Sequence, residues 1–176
     1  MLLLQGYMID KDNFNMFVEA LSAYIPNSLQ KIAFCDNQLK DDQLAMFWKK
    51  LATLETGPKM LAVIQNAWGF NSLRAFLVDY MNSEAAVNLQ RLAIKDPIIK
   101  SAFDMADMNI GHEIFKNSKA IYNLKYLTLQ NIHMSKTDLT YISHAVTQLS
   151  SLKSLNLSGN KLKQQDFLIM FDILKP

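Results

Sequence analysis

Cysteine, proline and glycine are scarce in this chain of 176 residues, which has one cysteine, four prolines and five glycines. The single thiol, Cys35, has no second cysteine for an intramolecular disulfide, which excludes a disulfide-stabilised secreted domain and favours a reducing compartment. The glycines lie far apart, so no glycine-rich phosphate-binding loop is present. No apolar run is long enough to cross a bilayer, and the first residues lack a basic leader. We therefore expect a cytoplasmic protein without a membrane span.

A strong excess of charge of one sign is also absent. The chain has 18 Lys and Arg against 16 Asp and Glu, which gives a formal net charge of +2. Nucleic-acid-binding domains usually concentrate basic residues on one face, so this balance argues against a nucleic-acid partner. The histidines, His112, His133 and His144, are not spaced as metal ligands with each other or with Cys35. The sequence predicts neither a metal ion nor a cofactor.

Hydrophobic residues are abundant at 50% of the chain, and the leucines among them recur in a pattern. Residues 152–162, LKSLNLSGNKL, match L-x-x-L-x-L-x-x-N-x-L at every defined position. Residues 29–39, LQKIAFCDNQL, match it when Ile and Phe are accepted for Leu. At these stretches the sequence resembles the leucine-rich repeat family.

Four weaker copies extend the pattern over nearly the whole chain. Aligned on the second leucine of the motif, the six copies have as anchors Leu2, Ile32, Leu61, Leu92, Leu127 and Leu155. Successive anchors are 30, 29, 31, 35 and 28 residues apart. The longest interval predicts an insertion near residues 100–110; extra length in one repeat forms a protrusion, and protrusions often carry function.

After the strand motif, an apolar triad recurs at spacing i, i+3, i+7, which places three side chains on one face of a helix. Its copies are Phe14, Phe17 and Leu21; Leu44, Phe47 and Leu51; Leu73, Phe76 and Tyr80; Leu139, Ile142 and Val146; and Phe167, Met170 and Leu174. Each unit is thus predicted to be a strand followed by an amphipathic helix. In the fourth unit the triad fails, and Ile114 with Phe115 is expected to take its place.

We interpret residues 1–176 as a single α/β domain of about six repeats, because one strand-helix unit cannot bury its leucines without neighbours. Repeats of this length resemble the ribonuclease-inhibitor-like subclass of leucine-rich repeat proteins. The resemblance implies a horseshoe-shaped solenoid with a parallel sheet on its concave side and helices on its convex side. Asparagines such as Asn37 and Asn160 are expected to satisfy backbone groups where the chain leaves the strand.

Residues between the inward leucines alternate to the other face of the sheet and are the predicted binding surface. That surface comprises Lys31, Ala33, Cys35, Met60, Ala62, Arg91, Ala93, Lys95, Tyr126, Thr128 and Gln130. Arg, Tyr and Met are enriched at interface cores, and a stripe of small residues lets a partner approach the sheet closely. The alternative is that the small residues only relieve crowding on a curved sheet. The partner we expect is an acidic or amphipathic protein surface.

Catalytic constellations are weak in this sequence. Cys35 followed by Asp36 resembles the pair in bacterial ubiquitin ligases with leucine-rich repeats, but there the cysteine lies in a separate helical domain. No base is evident near Cys35, and no G-x-S-x-G nucleophile motif occurs. Trp48 and Trp68 fall on apolar positions and are predicted to be core residues.

The sequence therefore predicts a non-catalytic protein–protein interaction module that binds its partner on the concave face. The degenerate repeats resemble leucine-rich effector proteins that intracellular bacterial pathogens deliver into host cells, which implies the host cytosol as a site of action. One alternative is a substrate-recognition segment of a larger ubiquitin ligase or innate sensor. The other is an enzyme that uses Cys35 or a histidine.

Overall fold

The computed structural model describes residues 1–6, 9–24, 30–99, 113, 116 and 122–174. The predicted insertion near residues 100–110, the proposed substitutes Ile114 and Phe115, and His112 lie outside the described residues.

Strands and helices alternate along the described chain. The strands are β1 (Leu2–Gln5), β2 (Lys31–Cys35), β3 (Met60–Ile64), β4 (Ala67–Trp68), β5 (Arg91–Lys95), β6 (Ile98–Ile99), β7 (Tyr126–Gln130) and β8 (Ser154–Asn156). The α-helices are α1 (Lys11–Tyr24), α2 (Asp41–Ala52), α3 (Phe70–Arg74), α4 (Lys136–Val146) and α5 (Gln164–Leu174). Helix α3 continues as a π-helix over Ala75–Tyr80, and a 3-10 helix spans Glu84–Asn88.

Six of the strands form one parallel sheet in the order β1-β2-β3-β5-β7-β8. The six motif anchors pair with one another across it: Leu2 with Ile32, then Leu61, Leu92, Leu127 and Leu155 in turn. The predicted α/β class, the parallel sheet and the register of its strands are thereby confirmed. The short strands β4 and β6 form a second, two-stranded parallel sheet just beyond the ends of β3 and β5.

One face of the large sheet is buried against the helices. Anchors in the central strands are nearly inaccessible, as are the apolar residues two positions further on: Ile32, Phe34, Leu61, Val63, Leu92, Ile94, Leu127 and Leu129. Opposite them lie the buried triads of α2, of α3 with its π-helical extension, and most of the triads of α1 and α4. The predicted helix faces are confirmed in these four units.

The last helix departs from the prediction. Phe167 was expected to be buried, but it is 39% exposed, and Leu168 and Phe171 are 57% and 58% exposed. Helices α1, α2 and α4 each pack against the helix of the following unit, whereas within the described residues no unit follows α5.

Each repeat leaves its strand through one residue with a left-handed backbone. These residues all lie four positions after an anchor, with φ between 47° and 74°: Gly6, Asp36, Gln65, Asp96, Asn131 and Gly159. The N–H of each of the first five donates to a carbonyl of the next repeat at 2.9 to 3.1 Å. The hydrogen bond holds the backbone in a conformation that costs about 1 to 2 kcal/mol for a residue other than glycine.

Buried asparagines connect the turns of successive repeats. The Asn160 amide donates to the carbonyls of Leu129 and Leu157 at 2.6 and 2.8 Å, and its oxygen accepts from the Ile132 N–H at 2.8 Å. Asn66 makes the equivalent bonds, three to the preceding repeat and one to Ile64 of its own. The predicted role of Asn160 is confirmed, and Asn66 shares it.

Trp48 and Trp68 are core residues, as predicted, with exposures of 0% and 2%. Their ring centroids are 5.9 Å apart, and both rings contact Phe76. The indole N–H groups and the Tyr80 hydroxyl have no hydrogen-bond partner in the described part of the chain. This aromatic cluster binds α2 to the third repeat through packing alone.

Candidate functional site

The face of the sheet that points away from the helices, here called the open face, collects all eleven predicted binding residues. Together with Ile64, which was not in the predicted set, they fall into three rows because the parallel register places equivalent positions side by side on β2, β3, β5 and β7. The first row is Lys31, Met60, Arg91 and Tyr126, the second is Ala33, Ala62, Ala93 and Thr128, and the third is Cys35, Ile64, Lys95 and Gln130.

The best-defined contact on the open face joins Arg91 and Tyr126. These residues are direct partners on β5 and β7, and the Arg91 Cζ lies 4.3 Å from the centroid of the Tyr126 ring. Such a stack is worth about 0.5 to 1 kcal/mol at an exposed site, and it reduces the number of conformations that both side chains adopt. Both side chains remain exposed, and Tyr126 keeps 37% of its surface accessible. The pair presents a flat, cationic and partly apolar contact area to solvent.

The second row forms the low part of the open face. Ala33 and Ala62 are only 9% and 5% exposed, and Ala93 and Thr128 are half-buried. Small side chains between two rows of larger ones contribute little contact area of their own. A partner that reaches this row therefore gains mostly from the flanking side chains, while relief of crowding accounts for the alanines equally well.

Cys35 lies at the end of β2 as a half-buried free thiol. Burial raises the pKa of the Cys35 thiol above its ordinary value, and the positive charge of Lys95 only partly opposes that shift. A nucleophilic cysteine needs the opposite shift, because the thiolate is the reactive form. Among the histidines within the described ranges, His133 and His144 are both exposed.

A further row of polar residues borders the open face where the strands begin. It contains three lysines that are absent from the predicted set. The residue two positions before each anchor after the first forms a row of its own, Gln30, Lys59, Gln90, Lys125 and Lys153. The carbonyl of each of the first four accepts two N–H groups from the next repeat at 2.8 to 3.1 Å. The Lys125 Nζ also donates to the Gln90 Oε1 at 3.3 Å, so these two neighbouring side chains of the row meet.

Together with the first row of the open face, this row supplies one cation in each of five consecutive repeats. We call this set the basic rim: Lys31, Lys59, Arg91, Lys125 and Lys153. Neither of the two rows contains Asp or Glu. The signal was present in the sequence as a basic residue one or two places before the anchor of every repeat after the first.

The ion pairs found among the described residues lie elsewhere. Lys50 pairs with Glu19 at 2.6 Å between α2 and α1, and Lys11 contacts Asp42 at 3.9 Å. A groove of about 610 Å³ between α2 and α3 carries both signs of charge, from Asp42, Asp79, Lys49 and Arg74. The helical side is therefore mixed in charge, whereas the basic rim is of one sign.

Within the described ranges, no three His, Cys, Asp or Glu side chains come close enough together to hold a metal ion. No helix in that same part of the chain combines the length and apolarity needed to span a bilayer.

Comparison with known proteins adds no assignment: no protein-family model matches the chain, and no curated protein matches its sequence.

Proposed function

We propose that this chain is a leucine-rich repeat solenoid whose concave surface is the open face and that it binds a protein partner there without catalysing a reaction. The observation that carries the proposal is the Arg91–Tyr126 pair, stacked at 4.3 Å and exposed at the start of the neighbouring inner strands β5 and β7. Arginine and tyrosine are the residue types that most often dominate the binding energy of protein interfaces.

The repeat geometry supports the solenoid assignment. Six strands in register, a left-handed residue at the same place in every repeat and the hydrogen bonds of Asn66 and Asn160 between neighbouring turns all follow the sequence period. In a stack of repeats each unit contacts mainly its neighbours, and the stack offers an extended surface rather than a cleft. Such a surface suits recognition of another macromolecule.

The chemistry of the open face supports a binding role over an enzymatic one. The Cys35 thiol has a raised pKa, which opposes the activation that a cysteine nucleophile requires. The proposed setting is the cytoplasm, and the resemblance to bacterial effectors makes the cytosol of a host cell the compartment in which to seek the partner.

Affinity purification from a host-type lysate, followed by mass spectrometry, tests the proposal when the Arg91→Ala/Tyr126→Ala double variant is compared with the unaltered chain. We expect the variant to lose at least tenfold of a specific partner's signal. The matched control is Arg74→Ala/Tyr141→Ala, which removes the same residue types from exposed positions on α3 and α4. Partner capture that survives the first variant and fails with the second would move the site to the helical side.

A further inference from the structure

We propose that the basic rim binds an acidic, extended peptide segment of the partner, which crosses the starts of the strands one repeat after another. This inference rests on the proposed function and specifies the chemistry of the partner. Its basis is the regular placement of Lys31, Lys59, Arg91, Lys125 and Lys153 at one border of the open face.

The charges of the basic rim are available to a ligand. Four of the five side chains are exposed, and Lys125 is half-buried. Neither ion pair in the described part of the chain involves a member of the rim. Like charges on neighbouring strands repel one another, so an anionic ligand that neutralises them relieves this repulsion as well as forming new ion pairs.

The dimensions of the basic rim match a short extended peptide. Neighbouring strands lie about 4.8 Å apart, so five repeats extend over about 19 Å. An extended chain covers about 3.3 Å per residue, which means that about six residues reach from the first cation to the last. The flexible stems of lysine let each ammonium group reach a carboxylate that is out of step with the strand spacing.

A nucleic acid fits the same surface less well. Proteins that bind single strands combine a basic groove with aromatic rings on which the bases stack. The two rows that contain the basic rim hold one aromatic residue, Tyr126, and the Arg91 guanidinium already covers one face of its ring. The open face therefore offers charge without the series of stacking surfaces that nucleobases require.

Fluorescence anisotropy tests the proposal with a labelled peptide of alternating Glu and Ser, the same peptide with Gln for Glu, and a single-stranded oligonucleotide of equal charge. We expect the Glu peptide to bind the full chain at least tenfold more tightly than the Gln peptide. Binding of the Glu peptide should weaken at least tenfold in the Lys59→Gln/Lys125→Gln/Lys153→Gln variant. The control, Lys40→Gln/Lys49→Gln/Lys136→Gln, loses the same charge from exposed positions outside the open face and should change affinity less than twofold.

Absence of peptide binding, equal losses in the two triple variants, or tighter binding of the oligonucleotide would each overturn the proposal. If the rim variant does not fold, titrations of the unaltered chain with the Glu peptide at rising salt still test the proposal, because an affinity that is insensitive to salt contradicts an electrostatic site.

Partner capture by the same variants separates the two proposals. Capture lost with Arg91→Ala/Tyr126→Ala but retained by the rim variant would leave the proposed function standing and remove the acidic segment. Rim-dependent peptide binding with capture unchanged by Arg91→Ala/Tyr126→Ala would refute the proposed function and leave the basic rim only as a site for acidic peptides.

Discussion

Replacing Asn66 with alanine tests whether hydrogen bonds between turns hold successive repeats together. The Asn66 side chain is fully buried, with an exposure of 0%. Its amide donates to the carbonyls of Ile64 at 2.8 Å and Phe34 at 3.2 Å, and its oxygen accepts the N–H groups of Asn37 and Leu39, both at 3.3 Å. One side chain thus serves four backbone groups, three of which belong to the preceding repeat.

The expected cost follows from those four bonds. Each buried backbone group that loses its partner costs about 1 kcal/mol or more. Because two of the bonds are long, we expect Asn66→Ala to lower the free energy of unfolding by about 3 kcal/mol. That loss is a large part of the roughly 5 to 15 kcal/mol that stabilises a typical domain.

Urea unfolding monitored by tryptophan fluorescence measures the loss, since buried Trp68 follows Asn66 by two residues and its ring packs against buried Trp48 of the preceding repeat. Asn66→Asp separates hydrogen bonding from loss of volume: a carboxylate accepts the two N–H groups but donates nothing to the two carbonyls, so it should destabilise at least as much as alanine. Asn88→Ala, at an exposed position of the 3-10 helix, is the control and should change stability by less than about 0.5 kcal/mol. A cost below about 1 kcal/mol for Asn66→Ala, or an Asp variant as stable as the unaltered chain, would refute the reasoning.

Two further predictions concern the aromatic cluster and the strand ends. Burial without a hydrogen bond raises the pKa of Tyr80 above its ordinary value of 10.0, so the unfolded chain ionises first as the pH rises. The contribution of un-ionised Tyr80 to the free energy of unfolding is fully present below pH 10 and falls by about 1.4 kcal/mol per pH unit above it. Tyr80→Phe should therefore resist alkaline unfolding, measured by denaturant titration across pH. Tyr122→Phe, at an exposed position, should not. Gly159→Ala forces a side chain onto a residue with φ +74° and into contact with the Asn131 amide, and thermal denaturation should show a loss of about 2 kcal/mol. Combining it with Asn131→Gly should recover part of that loss, and no recovery would mean that the contact with Asn131 contributes nothing.

The candidate site was predictable to the extent that it depends on strand register. The leucine pattern located the six anchors, and the alternation of side chains in a strand then assigned Lys31, Arg91 and Tyr126 to one face. The Arg91–Tyr126 stack was not predicted, because the register makes the two residues neighbours but does not fix the side-chain conformations that bring the guanidinium over the ring. Lys59, Lys125 and Lys153 were overlooked because they precede the regular strand and the alternation rule does not apply to them.

Sequence alone determined the repeat period, the α/β class and the in-register parallel sheet, because burial of a periodic apolar pattern leaves few arrangements that cover every leucine. Tertiary structure decided features that depend on contacts between repeats. The left-handed residues at Asp36, Gln65, Asp96 and Asn131 carry no glycine signal, and their backbone is fixed by a hydrogen bond to the next repeat. Exposure of Phe167 likewise depends on what packs beside α5 and not on the apolar spacing within it. Hydrophobic periodicity is a local property that can be read along the chain, whereas these contacts join residues that only the folded sheet brings together.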